Sequence, residues 1–366
     1  MTNLLTKWLP GGPKGGIGIE ITPEQVTIAR LDKWGKRLRL KHLVSAPTPA
    51  DALVDGRIED TQAVAQVIRD LMSTHRIKPG PVATAISARE AVIRLIRLPA
   101  DLQADELREV VLNQEAELQI PYPREEAYVD YQPLETKVDA DGVRRQEVLL
   151  VAAQHEVVNS YVEAIRKADL IPKTVDIASF ALIRILRNQL LQYPPTEAVA
   201  LILVQAEGTV ISILINGVPE FSRYVPLGTW MFREVLSRAL DLPPSQTMSL
   251  LANLAPPLDS AGSTENPSFS GRGIAALRRV LGDLAEEIQR SLDFYLSQMD
   301  VLPVTRLLLS GSGANINQLD QFLAQRLTLP ISRVDPLEAL DLSADGISDQ
   351  ARSGAGVALG LGLRAM

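Results

Sequence analysis

LLLSGSGANINQLDQFLAQRLTLPI, residues 307 to 331, passes from an apolar run through Gly-Ser-Gly-Ala into an amphipathic segment. The run reads as a buried strand and the segment as a helix, with Asn315 or Asn317 placed to cap it. Glycines at 311 and 313 let the backbone approach closely whatever lies beyond the strand end, and the helix directs its first N–H groups at the same place. Taken alone, the turn is equally well explained as a tight strand-to-helix connection. Two earlier segments give it meaning. EAVALILVQAEGTVISILINGVPEFSRYVPLG, residues 197 to 228, is strand, turn, strand, an Asn216–Gly217 hairpin turn and a third strand. IGIEITPEQVTIARL, residues 17 to 31, followed by RLRLKHLVSAPTP, residues 37 to 49, repeats that order. A three-strand meander at the start of each half predicts an internal duplication, hence two related lobes with a cleft between them.

Between the meanders, TQAVAQVIRDLMSTHRI (61 to 77) places Val64, Val67, Ile68 and Leu71 on one helical face, with Thr61 as N-cap. PVATAIS (81 to 87) is a buried strand. A strand over 91 to 99, an acidic helix over 100 to 120, a hairpin pairing 128 to 135 with 145 to 154 around Asp141 and Gly142, and a helix over 155 to 170 make a block of their own. The chain therefore divides into a flexible arm (1–16), lobe 1 (17–90), an inserted α+β subdomain (91–175) and a return helix to lobe 1 (176–196). Lobe 2 (197–348) follows, with a Pro-, Ser- and Gly-rich mobile loop at 251–273, and then a C-terminal helix (349–366) packing back on lobe 1.

A chain of 366 residues exceeds one core's usual size, which agrees with two lobes. No cysteine is present, so disulfides and thiolate chemistry are excluded, and three scattered histidines give no metal motif. A net charge of -7 argues against nucleic acid as a partner. The start, MTNLLTKWLPGGPKGG, is too short in apolar residues for a secretory signal, although Leu4, Leu5, Trp8 and Leu9 suit a membrane- or partner-touching arm. No stretch approaches the ~20 apolar residues of a membrane span. The protein is expected in the cytoplasm.

Two strand-turn-strand units followed by a Gly-rich strand-to-helix turn resemble the actin, Hsp70 and sugar-kinase superfamily. There the paired turns embrace phosphates and the Gly-rich turn receives adenosine. Within it the chain is similar to the PilM family, actin-like proteins of type IV pilus assembly. The likeness is carried by DALVDGRIEDTQAVAQVIRDL, RLIRLPADLQADELREVVLNQEAELQIPYPREEAYVDYQ, HEVVNSYVEAIRKADLIPKTVDIASFAL, AEEIQRSLDFYLSQ, the GSGA turn and the terminal AGVALGLGLR. It implies an α/β, actin-like (ribonuclease H-like) two-lobe fold with an inserted subdomain. The family usually carries Asp-Ile-Gly, small hydroxyl residues and a Lys in the first turn. This chain has Glu20, Ile21 and Thr22, then Pro23, Glu24 and Gln25, with Thr27 at the Lys position. The second turn has Leu203 where an acid normally holds metal or water, Gln205 where Gly is usual, and Glu207. Gly, hydroxyls and cation are lost together, so phosphoryl transfer lacks its positioned groups.

The resemblance implies a scaffold that is not an enzyme, with no catalytic residue and no resident metal. It binds the cytoplasmic N-terminal segment of PilN, a bitopic inner-membrane protein, and links the membrane complex to motor or platform proteins. It meets the inner membrane only through partners. A degenerate nucleotide site, with ATP and magnesium as an optional ligand, would comprise Glu20, Thr22, Gln205, Gly208, Gly311, Ser312, Gly313 and Ala314. A partner-peptide groove would be apolar and strand-borne: Ile93, Leu95, Ile96 and Leu98 with Val110, Val111 and Leu118 from the neighbouring helix. Each of these residues also suits an ordinary subdomain core. The alternative is an ATP-binding switch or weak ATPase, in which Glu20 holds a metal through water. An FtsA-like division protein fits less well, because the C-terminal SGAGVALGLGLRAM suits close packing rather than lipid insertion. A sugar kinase lacks its catalytic Asp.

Overall fold

The computed structural model describes residues 14–35, 37–138, 142–243, 246–247, 250–251, 270–298 and 301–366. The expected arm before Lys14, the hairpin tip at Asp141 and most of the expected loop over 251–273 lie outside the described residues.

Strands β1 (Lys14–Ile21), β2 (Gln25–Trp34) and β3 (Arg37–Pro47) form an antiparallel meander. The first strand begins at Lys14, so the last three residues of the expected arm belong to the sheet. A two-residue hairpin, β4 (Leu53–Val54) with β5 (Arg57–Ile58), leads into helix α1 (Thr61–Thr74). Its cap is Asp60 rather than Thr61: the Ala63 amide donates to the Asp60 carboxylate at 2.9 Å. Strand β6 (Val82–Ile86) then lies parallel to β1.

The insertion follows. It has β7 (Ala91–Pro99), helical segments α2 (Ala104–Glu109) and α3 (Ala116–Gln119), then β8 (Ala127–Val138) and β9 (Arg144–Gln154). Its sheet order is β7-β9-β8. The two helical segments are joined by a π-helical stretch, Val110–Glu115, and the helix starts at 104 rather than 100. Helix α4 (His155–Lys167) and strand β10 (Pro172–Ile177) return to lobe 1, where β10 pairs parallel with β6. The inserted sheet ends at Gln154, and β10, placed in the inserted subdomain (91–175) by the sequence reading, pairs in the sheet of lobe 1. Helix α5 (Ala178–Leu190) completes the lobe.

The second lobe repeats the plan with β11 (Ala198–Val204), β12 (Thr209–Ile215) and β13 (Val218–Val225) as its meander. Asn216 and Gly217 both have positive φ, 52° and 78°, as a two-residue hairpin turn between right-twisted strands requires. Helices α6 (Thr229–Leu240) and α7 (Ser270–Leu296) precede β14 (Val304–Ser310), which lies parallel to β11. A 3-10 turn, Ser312–Asn315, leads to α8 (Leu319–Leu327), and β15 (Ile331–Arg333) closes the sheet. Gln318, in the left-handed region, occupies the N-cap of α8, so neither Asn315 nor Asn317 caps it.

The two sheets run β3-β2-β1-β6-β10 and β13-β12-β11-β14-β15. Position by position they are one topology used twice, the actin-like arrangement expected from the repeated meander. Strand β11 is apolar without alternation because both its faces are buried. Val199, Leu201 and Leu203 join the lobe 1 core, while Ala200, Ile202 and Val204 pack under the helices of lobe 2. Two short C-terminal helices, α9 (Asp349–Gly354) and α10 (Gly356–Ala365), finish the chain. Helix α10 lies directly on β1. A Cβ at Gly18 would stand 1.9 Å from the Ala358 carbonyl oxygen, and one at Gly360 the same distance from the Ala181 carbonyl. No helix of the described residues is long and apolar enough to cross a membrane.

Candidate functional site

The turn between β1 and β2 spends its polar groups on itself. The Thr22 hydroxyl donates to the Gln25 carbonyl at 2.9 Å and accepts from the Gln25 amide at 3.1 Å. The Thr22 amide also donates to the Gln25 carbonyl at 3.0 Å, and Pro23 has no N–H. The Thr48 hydroxyl takes the Thr22 carbonyl at 2.7 Å. A phosphate at this turn would therefore find few free donors. Thr27, at the position where the resembling family has a Lys, is buried, and its hydroxyl has no partner among the described residues.

The turn between β11 and β12 is engaged in the same way. Its Gln205 and Ala206 carbonyls accept the Thr229 and Trp230 amides, both at 3.0 Å, so the turn caps α6 and absorbs the helix's first donors. A Cβ on Gly208 would meet the Tyr224 hydroxyl at 2.4 Å, which makes this glycine a packing requirement. Leu203 is buried in the core. At the third turn Gly311 has φ +91°, and a side chain there would stand 2.3 Å from the Val204 carbonyl. Gly313 presses equally closely on the Val204 side chain.

Glu20, Thr22, Gln205, Gly311 and Ser312 line one cavity between the lobes, together with Glu24, Ser310 and the C-terminal Ser353, Gly354, Gly356 and Val357. Gly208, Gly313 and Ala314, expected at the same site, do not line it. The cavity measures about 40 Å³, and a second one on the other side of Glu20 about 30 Å³. Ligand pockets usually run to several hundred Å³. Both cavities are small beside a usual ligand pocket.

Glu20 is buried between them. The Gln205 amide nitrogen donates to its carboxyl at 3.2 Å, and the Ala358 amide, in the first turn of α10, donates as well. Burial dominates over both bonds and lifts the Glu20 pKa to about 8, so near neutrality the group is mostly the uncharged acid. Its role here is a bridge between sheet, second lobe and C-terminal helix. Glu207 is also raised by burial, with Arg89 opposing. Glu24, in the first turn, makes a cross-lobe contact. Its Oε1 accepts from Trp230 Nε1 at 2.8 Å and from the Arg233 guanidinium, both on α6.

A family model described as type IV pilus assembly protein PilM matches residues 18–251. The chain belongs to the PilM family. Among solved structures, it is 28% identical to one titled a PilM-PilN type IV pilus biogenesis complex, covering 96% of this chain and 98% of that one, with a TM-score of 0.81. The ethanolamine utilization protein EutJ from Carboxydothermus hydrogenoformans, 12% identical over 98% of this chain and 93% of its own, has a TM-score of 0.56 and shares the fold.

In this PilM-family chain the seven apolar residues expected to form one groove separate. Ile96, Leu98 and Val111 are core of the inserted subdomain, with Val110 half-buried against them. Ile93 packs on the lobe 1 core. Leu118 is 77% exposed. The π-helical stretch explains the last. An α-helix would set Leu118 seven residues from Val111 on the same face, but the wider turn brings Ala116 inward and rotates Leu118 outward. Leu95 alone of the seven lines a groove of about 880 Å³ between the helix-free face of the inserted sheet and lobe 2. Lys137 crosses that groove, 2.7 Å from buried Glu147 and 3.2 Å from Glu220 of lobe 2.

Proposed function

We propose that the protein is a scaffold of the type IV pilus assembly machine that binds the cytoplasmic N-terminal segment of a PilN-type membrane protein and does not hydrolyse nucleotide. The single observation that carries this reading is the likeness to the PilM-PilN complex over nearly the whole of both chains. The 880 Å³ groove beside the inserted subdomain supports it, being large enough for an extended segment. Internally bonded turns, a buried uncharged Glu20 and small interlobe cavities favour a cleft with a structural role. Attachment to the inner membrane comes through the partner's span, and contact with motor or platform proteins completes the linkage. Titrating a synthetic peptide of the PilN cytoplasmic tail into the full chain tests the reading, and absence of binding contradicts it.

A second reading, an ATP-binding switch or weak ATPase, is favoured by the Gly311 turn and by Ser310, whose buried hydroxyl lines the cavity without a partner among the described residues. Calorimetry with ATP and magnesium separates the two, since micromolar binding with turnover would replace the scaffold by the switch.

A further inference from the structure

The cross-lobe contact of Glu24 joins residues 206 and 209 positions apart, so it cannot be a local turn interaction. Glu24 comes from the turn between β1 and β2 of lobe 1. Trp230 and Arg233 come from the first two turns of α6 in lobe 2. The paired side chains are only 20% and 18% exposed, which shields the charge interaction from solvent. Arg233 Nε is buried and has no hydrogen-bond partner among the described residues, so the seat still offers a donor that one carboxylate oxygen does not use.

We propose that Glu24 is a tethered anion, a carboxylate of the chain itself that fills an anion seat made by Trp230 and Arg233 of lobe 2 and holds the lobes together from within. The inference rests on the proposed structural role of the cleft. Charge-assisted bonds from a guanidinium and an indole give the carboxylate the donors that a phosphate would otherwise need. Because the acid is part of the chain, it competes at a high effective concentration against any free anion. Closure is then constitutive. Removing the carboxylate takes the charged partner from Arg233 and Trp230, and an added anion gains a place to bind.

The test uses the full chain with Glu24→Gln, Arg233→Gln, the double variant and Trp230→Phe, read by thermal unfolding with and without inorganic pyrophosphate. Glu24→Gln keeps the side chain's shape, so a folding failure is not expected from packing. Its midpoint is expected to fall by about 2–4 °C. The double variant is expected to fall no further than the worse single one, as for residues that act as a pair. Trp230→Phe is expected to lower the midpoint by less. Pyrophosphate is expected to raise the midpoint of Glu24→Gln and leave the unsubstituted protein unchanged. Additive single effects, or a Glu24→Gln variant that unfolds with the parent or gains nothing from pyrophosphate, overturn the tethered anion. Binding of ATP to the unsubstituted protein would instead defeat the structural reading of the cleft while leaving the Glu24–Arg233 coupling standing, so the two failures are distinguishable.

Discussion

A carboxyl buried between two lobes ties stability to pH in a direction that can be worked out. Glu20 titrates at about 8 when folded against an ordinary 4.5, so the folded state keeps a proton that the unfolded chain releases first. Its contribution is full below about pH 4.5 and is lost as pH rises to about 8, beyond which it no longer changes. Denaturant midpoints measured across that window should fall in the parent, and this component should disappear in Glu20→Gln, whose amide needs no proton. An equal slope in both proteins would show that Glu20 is not the group responsible. The unusual makeup of the first turn could be read in the sequence, in Thr22, Pro23, Glu24, Gln25 and Thr27. The partners of Glu24 could not. Arg233 and Trp230 look like any exposed face of a helix until two lobes more than 200 residues apart in sequence are brought together.

At the scale of elements, most strands were legible from apolar runs and turn chemistry, the inserted helix less so. A π-turn leaves no mark in composition, because one extra residue per turn alters which side faces inward without altering the residues themselves. The contrast between Val111, fully buried, and Leu118, 77% exposed, is a direct consequence. Val111→Ala should destabilise by about 1–3 kcal/mol, while Leu118→Ser should stay within about 0.5 kcal/mol, both by chemical denaturation. A regular α-helix through this segment would make the two costs similar. The C-terminal helix offers a sharper case. The glycines of AGVALGLGLR suggested close packing from sequence, and Gly16 and Gly18 of β1 complete the contact from the other side. Gly18→Ala forces a methyl to 1.9 Å from a backbone oxygen, which cannot swing away as a flexible side chain would. It should cost about 1–3 kcal/mol or more, measured by the same method, and wild-type stability would mean that the helix does not sit on the strand as described.

For the whole molecule, duplication explains why the fold was readable: the same strand order appears twice, so each half checks the other. The position of the insertion between β6 and α4 was readable too, but its end was not, because His155–Lys167 and Pro172–Ile177 look alike whether they serve the insertion or lobe 1. The scattering of the seven groove candidates has a related cause. Strand β7 turns Ile96 and Leu98 against the subdomain's helix and half-buried Leu95 toward the groove on the other face, and spacing does not say which apolar residues face a core and which a groove. The proposed scaffold, if held shut by its own side chains, should bind its partner without nucleotide. The direct measurement is titration of the PilN cytoplasmic-tail peptide into nucleotide-free protein and again with ATP and magnesium present. Saturable binding of equal affinity in both titrations is the predicted result, and binding that is absent, or that appears only with ATP, would contradict it.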